Sequence, residues 1–202
     1  MKFDTFIIGE YVDLVLLDQR VVNKTDWYKW FNHHENTRIL EVGKFPNTLK
    51  KQLIYVKNEL ASNDDIISLE DVDKKIQLGI LYKKNNSLVG MVSAYKFNYL
   101  SRNCFISLIT DLRKKKINRL KIFKESQDMM IDHLFYKMNM RKIYSGATDK
   151  KLSEMTVKIW GFKLEGIQKK HSFYDGKYHD NFLLGLFRED WEKIRKKKNV
   201  KK

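Results

Sequence analysis

The chain has 202 residues, enough for one domain with a sizeable core, and 43% of them are hydrophobic against 32% charged, which excludes a disordered or fibrous protein. Forty Lys and Arg against 25 Asp and Glu give a formal charge of +15, but 32 of those cations are Lys and only eight are Arg, a ratio that argues little for a base-reading surface. One Pro and nine Gly leave no Pro/Gly-rich linker, one cysteine (Cys104) excludes an internal disulfide and a Cys-based zinc site, and no apolar run reaches the ~18 residues of a membrane span. The opening residues lack a cationic head and small-residue cleavage site, so a soluble, cytoplasmic protein without a secretory leader is expected.

Gly9 to Asp18 alternates Val12, Leu14 and Leu16 with other residues and reads as a first strand. Thr25-Asp26 before Trp27, Trp30 and Phe31 predicts a short capped helix. Pro46-Asn47-Thr48 opens a second, with Leu49, Leu53, Val56 and Leu60 on one stripe, and Asn63 to Asp73 is an acidic loop. Ile76 to Leu81 and Ser87 to Phe97 are strands joined at Lys83-Lys84-Asn85-Asn86, whose asparagines tolerate left-handed backbone. Cys104 to Thr110 is apolar on both faces, as a central strand is, and a basic stretch follows from Asp111 to Lys121.

Ile122 to Met138 has helical spacing, with Met129, Met130, Met138 and Met140 as core packing. Arg141 to Thr148 is a strand, and Leu152 to Trp160 a helix ended by Gly161. Phe162 to Phe187 is a long hairpin turning at Asp175-Gly176, and Lys193 to Lys202, carrying seven of the positive charges, is a frayed, solvated tail or else a binding element. This order predicts an α+β sandwich with a mixed sheet, residues 1–192 forming one domain and 193–202 a basic tail.

Several segments resemble the GNAT acetyltransferases of the RimJ/RimL-like branch. Gly161 to Trp191 (GFKLEGIQKKHSFYDGKYHDNFLLGLFREDW) resembles that branch's closing hairpin, Ile8-Gly9-Glu10-Tyr11-Val12 its opening strand, and Trp27 to Thr37 (WYKWFNHHENT) its tryptophan-led helix and loop. Val89-Gly90 resembles its glycine-bearing strand, so the likeness covers most of the chain. The resemblance implies an α/β/α sandwich on a mixed, mostly antiparallel twisted sheet of six to seven strands with about four helices. It also implies acetyl-coenzyme A as acyl donor, no metal, and backbone groups of Leu108, Ile109 and Thr110 held toward the pantetheine arm.

In the family a glycine-rich turn before the next helix holds the pyrophosphate, because unpaired amides and the helix dipole favour an anion there. This chain has no glycine in that region. Counting back without gaps from Asp132-His133-Leu134-Phe135 places the turn on Lys121, Ile122 and Phe123; a looser placement uses Lys114 to Asn118. By that likeness Arg119, Lys121, Ile122, Phe123 and Lys124 would contact the cofactor, with Arg113 and Lys114 to Lys116 as surrounding cations.

Ser153 falls where related enzymes have a serine that protonates the leaving thiolate, and it equally suits a helix cap. His171 would accept the amine proton or be an ordinary strand histidine. Glu35 and Arg38 lie where relatives cover the acceptor, and otherwise form a solvated surface pair. Cys104, in mid-strand, reads as buried and inert, and Asp180 as a hydrogen-bonding residue across the hairpin.

Two kinds of function follow. One is an acyl-coenzyme A-dependent N-acetyltransferase acting on a primary amine, such as a nucleotide-linked amino sugar or another small amine, or else on protein N-termini. The other is a non-catalytic module of the same fold binding nucleic acid or another polyanion through its lysines. A homodimer is compatible with either, with the closing hairpin as a contact.

Overall fold

A computed structural model describes residues 2–38, 40, 45–60, 75–111, 113 and 117–199, with side chains described to residue 196. The acidic loop read at Asn63 to Asp73 and the cations Lys114 to Lys116 lie outside the described residues. By its internal contacts the chain groups into two compact units, Met1–Lys96 with Leu108–Met130, and Phe97–Ser107 with Ile131–Lys202.

The first unit opens with β1 (Thr5–Ile8) and β2 (Val12–Leu16), antiparallel to each other. Asp18 caps α1 (Gln19–Lys24), accepting from the Val21 amide. A 3₁₀ turn (Trp27–Asn32), α2 (His34–Thr37) and α3 (Leu49–Glu59) follow. Thr48, the last residue of the Pro46-Asn47-Thr48 opening, caps α3, its hydroxyl accepting from the Lys51 amide. Strands β3 (Ile76–Tyr82) and β4 (Ser87–Asn98) form the expected hairpin, with Asn86 in left-handed backbone at φ 52°. Trp27, Trp30, Val21, Val22, Val56 and Leu60 are buried together against Val15, Leu17, Leu81 and Met91. Three helical pieces thus cover one face of β2–β4 with an apolar layer.

Next come β5 (Asn103–Thr110) and α4 (Arg119–Asp132), which continues as a π-helical turn (His133–Lys137). In the second unit the start of β5 pairs in parallel with β6 (Lys142–Ala147). Then follow α5 (Lys150–Trp160), β7 (Lys163–Tyr174), β8 (Lys177–Phe187) and α6 (Arg188–Asn199). Gly161 ends α5 in left-handed backbone at φ 74°, and Asp175-Gly176 turn the β7–β8 hairpin at φ 50° and 74°. Among the described residues β1, β2, β3 and β4 pair in that order, all antiparallel, and in the second unit β5 pairs with β6 in parallel, β6 with β8 and β8 with β7 antiparallel. The α+β class therefore stands.

Three expectations are corrected. Among the described residues the strands number eight, because β1 is a separate edge strand; its four residues are exposed or half-buried and carry no alternation. Helix α5 is capped by Asp149, which accepts from the Leu152 amide at 2.9 Å, so Ser153 is a buried residue of its first turn and not its cap. The 193–202 tail does not fray from residue 193, since α6 runs to Asn199. Its anchors are Trp191, fully buried and donating Nε1–H to Asp132 Oδ1 at 2.7 Å, and Arg195, paired with Asp132 Oδ2 at 3.0 Å. Glu189 and Asp190 in its first turn suit the positive end of the helix.

Candidate functional site

Directly after strand β5 comes a carboxylate that burial would normally neutralise. Asp111 has no exposed surface, and its own amide donates to the Val89 carbonyl at 2.8 Å. Oδ1 accepts from Arg113 Nε at 2.8 Å, from the Arg113 amide at 3.2 Å and from Asn36 Nδ2 at 3.2 Å; Oδ2 accepts from Arg113 Nη2 at 2.8 Å. Burial pushes this carboxyl up, but the hydrogen bonds from Arg113 and Asn36 outweigh it and hold the group below the usual carboxylate range. Aspartate accepting the amide two residues on is an Asx turn, a way to reverse the chain without glycine. Arg113 is held in the same turn: its Nη2 also bonds Asp26 Oδ2 at 3.0 Å.

Helix α4 starts close behind. Asn118 caps it, Oδ1 accepting from the Lys121 amide at 3.1 Å and its carbonyl from the Ile122 amide at 3.1 Å. Lys121, Ile122 and Phe123, where the ungapped count puts a turn, lie inside the helix, and Ile122 is a core residue. Of the looser placement, Lys114 to Asn118, only Ile117 and Asn118 are among the described residues. Lys121 is exposed, with Nζ 3.1 Å from the Tyr11 ring centroid. Phe123 is half-buried, and Lys124 Nζ pairs with Asp128 Oδ2 at 2.7 Å. Glu125 fixes the helix sideways: its carboxylate accepts the Tyr11 amide at 3.0 and 3.1 Å and also the Glu10 amide. A Cβ on Gly9 would lie 2.6 Å from Glu125 Oε1 and 2.3 Å from the Val12 carbonyl oxygen, so this β1–β2 turn needs glycine.

Leu108, Ile109 and Thr110 form the end of β5, each half-buried. Gly90 lets the neighbouring backbone approach, since a Cβ there would meet the Ile109 carbonyl oxygen at 2.5 Å. The parallel β5–β6 ladder has three pairs, from Asn103↔Lys142 to Phe105↔Tyr144, and stops there. Glu35 and Arg38, expected against an acceptor, are exposed around the buried pair Asn36 and Thr37.

In the second unit Ser153 is buried within α5, while His171 is exposed on a bulge of β7, where the register jumps between Gln168 and Ser172. Asp180 closes that bulge as expected, accepting the Lys170 amide and Lys169 Nζ, each at 2.9 Å. Those bonds hold its carboxyl below the usual range. Cys104 is fully buried, and burial pushes its thiol up to about 12.

Sequence reasoning passed over Asn36, Asp111 and Glu125. The legible signal was Asp111-Leu112-Arg113 directly after an apolar strand, the pattern of an Asx turn with its own counter-ion. Asn36 and Glu125 have partners 75 and 114 residues distant, which no local pattern announces.

No protein-family profile and no curated protein matches the chain. Solved structures do. A GNAT-family acetyltransferase from Bacillus anthracis superposes with TM-score 0.68 at 14% identity, over 91% of this chain and 99% of that one. The fold is that of the GNAT acetyltransferases. Two further GNAT-fold structures are similar: the ribosomal-protein-S5-alanine acetyltransferase of Vibrio fischeri (TM-score 0.71, 17% identity, 93% and 98% covered) and a ribosomal L7/L12 alpha-N-protein acetyltransferase, RimL, in complex with coenzyme A (0.73, 14%, 91% and 98%). Among the described residues no helix is long and apolar enough to cross a membrane, and no group of three or more His, Cys, Asp or Glu is placed to hold a metal ion.

Proposed function

We propose that this chain is an acetyl-coenzyme A-dependent N-acetyltransferase acting on a primary amine. One observation carries the reading: in a GNAT fold, β5 outruns its short ladder with β6 and leads through the Asp111 turn to an Asn118-capped helix with Arg119 and Lys121 in its first turn. That is the chemistry a pantetheine pyrophosphate requires: backbone groups at Leu108, Ile109 and Thr110, then a helix start and cations for the anion. Lys124, paired with Asp128, is the weaker of the cations, and Arg113 serves the turn. The RimL neighbour in complex with coenzyme A supports the choice of donor.

Transfer breaks the thioester C–S bond and forms an amide C–N bond. The amine gives up a proton and the departing thiolate takes one. We assign the thiolate's proton to Ser153 and the amine's to His171, with Glu35 and Arg38 as the acceptor contacts. A nucleotide-linked amino sugar suits the +15 charge of the chain, since a cationic protein attracts a phosphorylated acceptor.

The test is thiol release from acetyl-coenzyme A with a panel of amines: a nucleotide-linked amino sugar, spermidine, and peptides with free N-termini. The expected result is turnover of one class, with an acetyl-group mass increase of the product. Ser153→Ala should lower kcat about 100-fold at unchanged donor affinity. Binding of donor with no turnover of any amine would overturn the reading.

A further inference from the structure

We propose that Asp111 is a positioning residue that ties the acceptor-side segment Asp26–Thr37 to the turn ahead of α4, so that a ligand bound at the helix start also steadies the acceptor side. The proposal rests on the acetyltransferase reading for the identity of that ligand; the ties themselves are structural and lie within the first unit.

The segment is held at both ends. At its start, Asp26 accepts from Arg113 Nη2 at 3.0 Å, and Arg113 is itself clamped by both Asp111 oxygens at 2.8 Å. At its end, Asn36 Nδ2 donates to Asp111 Oδ1 at 3.2 Å and reaches the Trp30 carbonyl at 3.4 Å. Asn36 and Asp111 are both buried, so their hydrogen bond is costly to break. Between the two ties stand Trp27 and Trp30, buried in the apolar layer. Glu35 and Arg38, the acceptor-side candidates, flank Asn36 and Thr37 and are carried with them. Shifting the Asp111 turn therefore breaks a buried hydrogen bond or drags 26–37 along, and holding the turn still holds both.

Hydrogen–deuterium exchange on the intact chain, with and without coenzyme A, tests this. In the wild type, coenzyme A should slow exchange about tenfold in 117–122 and also in 33–37. Asn36→Ala should keep the effect at 117–122 and lose it at 33–37. The ligand-dependent difference is the readout, because a merely structural role would change exchange equally with and without coenzyme A. Asp26→Asn, at a partly exposed position, weakens the other tie without opening the core and should leave the effect at 33–37 in place. Slowing at 117–122 alone in the wild type, or slowing at 33–37 that survives Asn36→Ala, would overturn the coupling and leave the acetyltransferase reading standing. No slowing anywhere would count against coenzyme A as the ligand, and so against both.

Discussion

Glu125→Ala removes one carboxylate that holds the β1–β2 turn onto α4. It accepts the Tyr11 amide through both oxygens, at 3.1 and 3.0 Å, and the Glu10 amide as well. A hydrogen bond to a charged group contributes about 1.5–3 kcal/mol where water cannot replace it. The Glu10 amide is exposed and water takes over there, whereas the Tyr11 amide is partly buried, so the loss should be about 2 kcal/mol in all. For a chain of this size ~1 kcal/mol moves Tm by about 2–4 °C, which gives a fall of about 4–8 °C by calorimetry. Glu125→Gln keeps one carbonyl acceptor and should lose about half as much. A fall below about 1 °C for the alanine variant would refute the claim that this carboxylate fixes the turn.

Gly161→Ala should destabilise by about 2 kcal/mol, read from urea midpoints, because φ is 74° and the added Cβ would sit 2.1 Å from Ile194 Cδ1; an unchanged midpoint would mean that α6 does not pack there. Cys104 should resist thiol reagents at pH 8 in the folded chain and react on unfolding, since burial pushes its thiol up to about 12; rapid labelling of the native protein would contradict its burial. Asp111 titrates lower folded than unfolded, so its contribution is present above the unfolded value of about 4 and is lost as pH falls through the folded one. Asp111→Asn should accordingly be less stable than wild type at neutral pH and lose less stability between about pH 5 and pH 2.5, and parallel stability profiles would refute the assignment.

Local signals made much of the fold legible. Asn86, Asp175-Gly176 and Gly161 sit where left-handed backbone is required, and Thr48 announced its helix. Strand β1 escaped because an exposed edge strand needs no alternation, and α6 because its basic composition hides a buried Trp191 and an Asp132–Arg195 pair made across 63 residues. The candidate site was legible as a region and not as a mechanism. Leu108 to Thr110 came from the likeness and lie at the end of β5, whereas the ungapped count ran into α4, which Asn118 caps. Asn36 escaped because its role exists only after folding brings it to Asp111.

The most direct measurement is calorimetric titration of acetyl-coenzyme A into the purified chain at near-physiological salt. One-to-one binding in the micromolar range, about 8 kcal/mol, is the expected result and would mean that an Asx turn and a capped basic helix start hold the pyrophosphate without glycine. Absence of binding up to about millimolar, where the affinity is only ~4 kcal/mol, would contradict the acetyltransferase reading.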